Sequence, residues 1–524
     1  MRMRSKKYWA DRATALEYWL QQEAGKSVRE INDLYYRAII DIEEEIEKIR
    51  KELLTMGDLT EDEWNELLRK ADRDVSYNRL KELLEKTDDP DTMGDILNRM
   101  NAQAYGARIT RLDELSNKVI EAVLDATAAE RAIAEKCLSR VLREAFYTNI
   151  DNIAEGYNIG INFGIMPSRA VAAALQTPWN NMTYSERIWK NGREFASKVE
   201  QTVTTGLLKG ASVQKMAAEL KDCTEKGNYV RERLVRTETA HFMAVGQLEA
   251  YKDAGVGRYR FLASLSERTC DVCADLDGKT FNVDEATEGV NCNPIHPNCR
   301  CITITAEASL SDRLAKDPLT DENYHTGKDM TFKEWKESFT PEQKQAFEVN
   351  VRKYRNKASD KKQYERYIKR LGAENLPETF DKFQMLKYTD IEKWEFIKLD
   401  YKRQNTLYNN PALLLPNAKN AIADDNKFTG YLFNPANVKG YAKGRAFTSR
   451  LGYDINNYKE LKEEILLKVD RYPVKYKASD IFGDSYEQKM ILHGKKTKPA
   501  NVIIGWKVKD DSTWLTSVYI KELK

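Results

Sequence analysis

Residues 268–281 read RTCDVCADLDGKTF, and residues 291–304 read NCNPIHPNCRCITI. Between Cys270 and Cys301 lie five of the seven cysteines and one of the four histidines, in a chain otherwise dominated by Lys and Glu. A concentration of soft donors this high needs a chemical reason. Cys270 and Cys273 form a CxxC, which sets two thiols on one turn. His296, Cys299 and Cys301 form an HPxCxC. Two such knuckles closing a loop are the usual construction of a structural Zn2+ site. Pro294 and Pro297 stiffen the second knuckle, so less ordering entropy opposes ligation. The expected ligands are Cys270, Cys273, His296 and Cys299, with Cys301 as the alternative fourth and Cys292 spare. Buried or reactive thiols without a metal are the competing reading. A catalytic zinc is not expected, because no HExxH occurs. The ion's task would be to pin a loop with too little apolar content to fold alone.

Working outward, 257–263 (GRYRFLA) reads as a strand entering the cluster and CITITA as a strand leaving it. Upstream, apolar residues recur every three or four positions. In 29–51 they are Ile31, Tyr35, Ile39, Ile42, Ile46 and Ile49, the pattern of a long amphipathic helix. Thr60 and Glu63 suggest a capping box opening another helix. Ser212 stands at the start of ASVQKMAAELKD. Downstream, residues 306–410 read as charged helices with no evident chemistry, one of them opening at Pro341. The last 95 or so residues read differently. FTGYLF suggests a strand, KGYAKGRAFTSRL and NNYKELKEEILLKV suggest helices, and QKMILHG, NVIIGWKV and WLTSVYI suggest three antiparallel strands.

The expected fold class is multidomain α+β. It consists mainly of long helices, with a small β and zinc-knuckle insert in the middle and a C-terminal α+β domain built on an antiparallel sheet. The expected divisions are 1–150, a helical N-terminal region; 151–305, the core with the Cys/His cluster; 306–415, a helical arm; and 420–524, the small α+β domain. A length of 524 residues agrees, since it implies roughly two to four cores. The net charge of +2 gives no global polyanion signal, but residues 421–524 carry 19 Lys and Arg against 13 Asp and Glu. No apolar run is long enough for a membrane span, and the N-terminus lacks the apolar stretch of a signal peptide. An odd cysteine count, with Cys137 and Cys223 isolated, argues against a disulfide scaffold and for a reducing compartment.

The order of these features resembles the phage head morphogenesis, or Mu-F-type minor head, family. Its pattern is an Arg-x-Glu on a helix, a tract ending D-x-R-T-C-x-x-C, an L-D-G-x-x-F and an H-P-x-C-R-C. Here these are Arg236 and Glu238; Ser266, Arg268, Thr269, Cys270 and Cys273; Leu276, Asp277, Gly278 and Phe281; then His296, Pro297, Cys299, Arg300 and Cys301. Ser266 stands where Asp is usual. The resemblance covers roughly 150–305. It implies a phage minor head (minor capsid) protein at the portal vertex, inside the capsid of the virion. The protein would be made in the bacterial host cytoplasm and act in procapsid assembly and DNA packaging or ejection. The partners implied are the portal protein, other capsid and scaffold proteins, and phage DNA.

Residues 421–524 resemble the small nucleases of the barnase, EndoU and RelE assemblage, some of which act as toxin-like tails. The resemblance rests on LFNPANVKGYAKGRAFTSRLGY at 432–453, NNYKELKEEI, a strand ending in LHGKK, and VIIGWKVKDDSTWLTSVYI. The arginine often found near the last strand is replaced by Trp514, ahead of Leu515, Thr516 and Ser517. A metal-independent ribonuclease needs a proton carrier and cations for the phosphorane charge. His493 is the domain's single histidine. Lys439, Lys443 and Arg445 lie on the first helix, and Thr516 is a candidate on the sheet face. Host RNA or phage DNA would be the substrate. The alternative is a nucleic-acid-binding structural adaptor with no catalytic activity.

Overall fold

The helical period of the N-terminal half produces long helices because no breaker interrupts it. The computed structural model describes residues 6–54, 77–104, 111–161, 163–209, 211–307, 313–328, 330–495 and 498–523. The Thr60/Glu63 capping box lies outside them. The chain divides into two compact units, Met1–Thr340 and Pro341–Lys524.

In the first unit, α1 (Lys6–Leu54), α2 (Tyr77–Lys86), α3 (Pro90–Ala104), α4 (Arg111–Tyr157), α5 (Ser168–Gln176), α6 (Tyr184–Leu208) and α7 (Val213–Asp253) build a helical body. Helix α1 buries Ala24, Val28, Ile31, Tyr35, Ile39, Ile42 and Ile46, the stripe that its three-and-four spacing requires. Helices α4 and α7 pack against it. Their closest approach depends on Gly246, where a Cβ would lie 2.5 Å from the Leu142 carbonyl oxygen. Thr183 and Glu186 form a capping box at the start of α6, and Ser212 caps α7. The boundary expected at 150 falls inside α4. This helix runs on to Tyr157 because no helix-breaking residue stands at that point.

The central sheet has the order β2-β1-β3, all antiparallel, with β1 Arg258–Leu262, β2 Thr280–Asn282 and β3 Ile302–Thr305. Tyr259 pairs with Phe281 on one side and Thr305 on the other. A six-residue helix, α8 (Asp271–Leu276), lies between β1 and β2.

The helical arm expected from 306 begins differently. Residues 314–325 form a hairpin, β4 (Leu314–Lys316) with β5 (Asn323–His325), followed by α9 (Phe332–Glu337). These belong to the first unit. A buried ion pair from Arg313 to Asp277 ties them to the sheet, as described below.

In the second unit, α10 (Pro341–Arg355), α11 (Lys357–Leu371), α12 (Phe380–Thr389) and α13 (Ile391–Asn409) come first. Tyr367, Phe383 and Trp394 form an aromatic core among the last three. Beyond them, α14 (Val438–Leu451) and α15 (Tyr458–Leu467) cover a four-stranded antiparallel meander. Its strands are β6 (Val474–Asp480), β7 (Gly483–Leu492), β8 (Ala500–Lys509) and β9 (Ser512–Ile520). Met490, Leu492, Val502, Ile504, Trp506, Leu515 and Val518 meet Phe447, Leu451, Leu461 and Ile465 in one core.

Two expectations fail in this unit. FTGYLF is a π-type turn over Lys427–Leu432, not a strand. Phe428, Leu432 and Phe433 are all buried; a strand would turn Leu432 and Phe433 to opposite faces, whereas a five-residue helical step gathers all three. Strand β6 was not expected, because VKYKASD is almost wholly exposed along a sheet edge and shows no apolar alternation.

Candidate functional site

The cysteine–histidine loop is assembled by short-range geometry. Cys270 is the N-cap of α8, and its sulfur accepts from the Cys273 amide at 3.4 Å. That turn sets both sulfurs on the same side. On the second knuckle, Asn298 takes a left-handed φ of 61°, and the Cys299 amide bonds back to the His296 carbonyl at 3.0 Å. His296 Nδ1 lies 2.9 Å from the Pro297 carbonyl oxygen. A carbonyl only accepts, so Nδ1 carries the proton and Nε2 keeps its lone pair. Nε2 sits 3.4 Å from Cys273 Sγ.

Two donor triads result, Cys270–Cys273–His296 and Cys273–Cys299–Cys301, with the ligand atoms of each within 4.8 Å of one another. Cys273 belongs to both. Cys273, Cys299 and Cys301 are buried, against Phe261 and Ala263. Hydrogen bonds from the Cys273 and Cys301 thiols pull Cys299 well below the usual thiol range. Cys301 is pushed up, first by its hydrogen bond to Cys273 and then by that to Cys299. A pocket that favours one thiolate beside a correctly tautomerised imidazole fits a metal ion chemically. All five residues named as ligands from the sequence meet here. Cys292 does not. Burial first, then the Glu288 charge, raises its thiol to about 12, and its sulfur faces the Asn293 carbonyl at 3.7 Å.

The loop is anchored by a buried carboxylate. Asp277 Oδ1 accepts from the Ala263 amide at 2.6 Å, and Oδ2 accepts from the Phe332 amide at 2.6 Å. Arg313 binds both oxygens, at 2.7 and 3.0 Å, and also reaches the Met330 and Ala263 carbonyls. Gly278, at φ 80°, makes the turn that follows. Thr237 Oγ1 on α7 accepts from the Asn298 amide at 3.2 Å. Ser266 accepts from the Arg268 amide at 3.3 Å, a turn-capping role that an aspartate also performs.

Arg236 and Glu238 pin different elements to α7. Arg236 bonds Gln21 on α1 at 2.8 Å. Glu238 is buried, and desolvation raises its carboxyl. It is held by Arg187 at 2.7 Å and by the Trp179 indole N–H at 2.9 Å. Trp179 stacks on His241, whose Nδ1 lies 2.6 Å from Glu288. Trp179, Arg187, Glu238 and Glu288 border a cavity of about 800 Å³ that also reaches His296 and Pro297. Sequence reading missed Trp179, Glu288 and Arg313, whose partners stand tens of residues away.

In the second unit the named residues separate into two groups. Lys439 and Arg445 are exposed on α14, while Lys443 lies 5.5 Å from the ring centres of Tyr431 and Tyr519. Thr516 is exposed as the extra residue of a bulge, since Gly505 pairs with Ser517 and Trp506 with Leu515. His493 follows β7 and has other neighbours. Its amide donates to Glu464 at 2.9 Å, and its Nε2 lies 3.7 Å from Asp400 Oδ2. Among the described residues, no hydrogen bond or ion pair links His493 with the α14 cations. Asp400 comes from α13, in the stretch read as free of chemistry. It is 2 % exposed and binds Tyr472 and Gln404.

With this geometry in view, the comparisons with known proteins divide the chain in the same way. Residues 197–304, about a fifth of the chain, match the family described as Phage Mu protein F like protein. Residues 414–522 match a domain of unknown function, DUF6883. Among individual proteins, the chain is similar to NAD(+)--arginine ADP-ribosyltransferase EFV of Enterococcus faecalis. The two are 24% identical over 208 residues, 37% of this chain and 42% of the relative. It is also similar to an uncharacterized protein of Haemophilus influenzae, 22% identical over 147 residues, 28% of this chain and 32% of the relative. The chain thus spans less than half the length of either relative. No solved structure matches significantly. Among the described residues, no helix is long and apolar enough to cross a membrane.

Proposed function

We propose that this chain is a minor head protein of a phage or prophage and that its 197–304 core is clamped by one structural Zn2+. The observation that carries the reading is the coincidence of two features. The stretch matching the Mu F family ends on the five-donor cluster, with its fixed His296 tautomer. Thiol and imidazole donors in a tight, largely buried group suit Zn2+ better than hard cations. The protein would be made in the host cytoplasm and carried inside the capsid at the portal vertex. There it would contact portal and scaffold proteins during assembly and DNA packaging or ejection. The metal keeps the loop folded and takes no part in a reaction. The test is twofold. Reduced, purified protein should hold one zinc per chain by elemental analysis, and particles of the phage encoding it should contain the chain. A zinc ratio near zero removes the clamp, and particles lacking the chain remove the virion role.

For the second unit we propose action on RNA, with His493 as the acid–base group. The supporting observation is its place beside the buried Asp400 in a unit whose last hundred residues carry excess positive charge. Whole protein incubated with tRNA should cleave it in EDTA, and His493→Ala should not. Retention without cleavage would favour an adaptor.

A further inference from the structure

We infer that Asp400 is the positioning residue for His493, holding the ring with Nε2 inward so that Nδ1 is the atom offered to a ligand. Two facts complement each other. His493 Nε2 is buried without a hydrogen-bond partner. The Asp400 carboxylate, which needs donors, lies 3.7 Å away. Both hydrogen bonds that Asp400 accepts from side chains fall on Oδ1, from the Tyr472 hydroxyl at 2.6 Å and Gln404 Nε2 at 2.8 Å. Oδ2 is the oxygen turned toward the imidazole.

A buried carboxylate is stable only when its oxygens are satisfied, and catalytic hydrogen bonds are often long before a ligand binds. A closure of about half an ångström to one ångström completes an Nε2–H···Oδ2 bond. The backbone that carries the ring is itself held. The His493 amide binds Glu464, and the Lys495 amide binds the Leu451 carbonyl at 2.8 Å. Nδ1 has no such burial, and the side chain is 34% exposed.

Asp400 and Gln404 lie upstream of the 414–522 match, so the working unit begins on α13. That Nδ1 then performs acid–base chemistry rests on the ribonuclease reading above; the tautomer does not. In that chemistry Nδ1 takes the proton of a ribose 2′-hydroxyl as its oxygen bonds to the adjacent phosphorus. The 5′-oxygen leaves with a proton from solvent, giving a 2′,3′-cyclic phosphate and a 5′-hydroxyl end.

The test is ring 15N NMR on the whole protein, labelled at its four histidines, at pH ~8, where an ordinary imidazole is neutral. The His493 signal is the one missing from His493→Gln. In the wild type it should show Nε2 protonated and Nδ1 bare. In Asp400→Asn, Tyr472 and Gln404 keep the side-chain oxygen, so the amide NH2 faces the ring. The tautomer should invert to Nδ1–H, and tRNA cleavage should fall by about 10²-fold or more. If Asp400→Asn does not fold, the wild-type ring tautomer alone decides. A wild-type Nδ1–H ring, or an unchanged ring in Asp400→Asn, overturns the inference. So does undiminished cleavage by that variant. The expected spectra with no cleavage by any form uphold the positioning and defeat the ribonuclease reading alone.

Discussion

The cysteine–histidine loop and the His493 neighbourhood solve the same problem, holding reactive polar groups away from water, by opposite means. The loop draws its donors from 32 consecutive residues, Cys270 to Cys301, and its sulfurs crowd one another. The His493 group comes from α13, α15 and the segments just before β6 and just after β7: Tyr472 binds Asp400, the His493 amide binds Glu464, and the His493 ring faces Asp400. A locally built site needs something to neutralise its crowding, which points to an ion. A site built across a packed core can be satisfied by the protein itself.

The contrast can be broken most severely at Cys273, the donor shared by both triads. Cys273→Ser should bring bound metal to near zero and remove a metal-linked stabilisation on the order of 10 kcal/mol. Elemental analysis and melting with and without EDTA measure both effects. Cys292→Ser should keep the wild-type metal ratio; a loss there would redraw the ligand set.

Next comes the anchor. Asp277→Asn leaves Arg313 buried with half its partner gone, and should cost about 3–5 kcal/mol in urea unfolding.

Smaller effects distinguish the two units by pH. Burial raises Glu130 on α4 to about 7, against opposing pulls from Tyr35 and Arg231. Its folded form binds a proton that the unfolded chain has released, so stability falls as pH rises from about 4.5 to about 7, by roughly 3 kcal/mol. Glu130→Gln should flatten that slope. Glu464 goes the other way. Burial would raise it, but Lys468, the His493 amide and Tyr453 together bring it below the ordinary carboxylate range. Its contribution is present above that range and is lost as pH falls through the lowered value. Glu464→Gln should cost about 1–3 kcal/mol at pH 7 and little in acid. Equal slopes for the two variants would erase the distinction.

What could be read from the sequence follows the same division. The donor cluster was legible because ligand chemistry imposes fixed short spacings. Strands β1, β3, β7, β8 and β9 were legible because their apolar residues are β-branched or aromatic and bounded by turns. Helix α14 was legible from its Gly452 stop. Arg313 was not, since 36 residues separate it from Asp277 and an arginine in a charged stretch carries no sign of burial. Asp400 was hidden likewise on a helix rich in Lys and Glu. The 427–432 turn was misread because aromatic and β-branched composition was taken for a strand. The deciding fact is the adjacent burial of Leu432 and Phe433, which only packing shows.

The Asp277–Arg313 pair sets a limit on how such genes can be reshuffled. A recombination crossover just after the last cysteine, between 305 and 313, would join one parent's Asp277 to another parent's unrelated sequence. The orphaned carboxylate would face an apolar interior with no counter-ion. A crossover after Thr340 inherits both partners together and falls at the junction between the compact units. Exchange of C-terminal modules among relatives should therefore leave its scars beyond the α9 helix, some thirty-five residues past the end of the Mu F match.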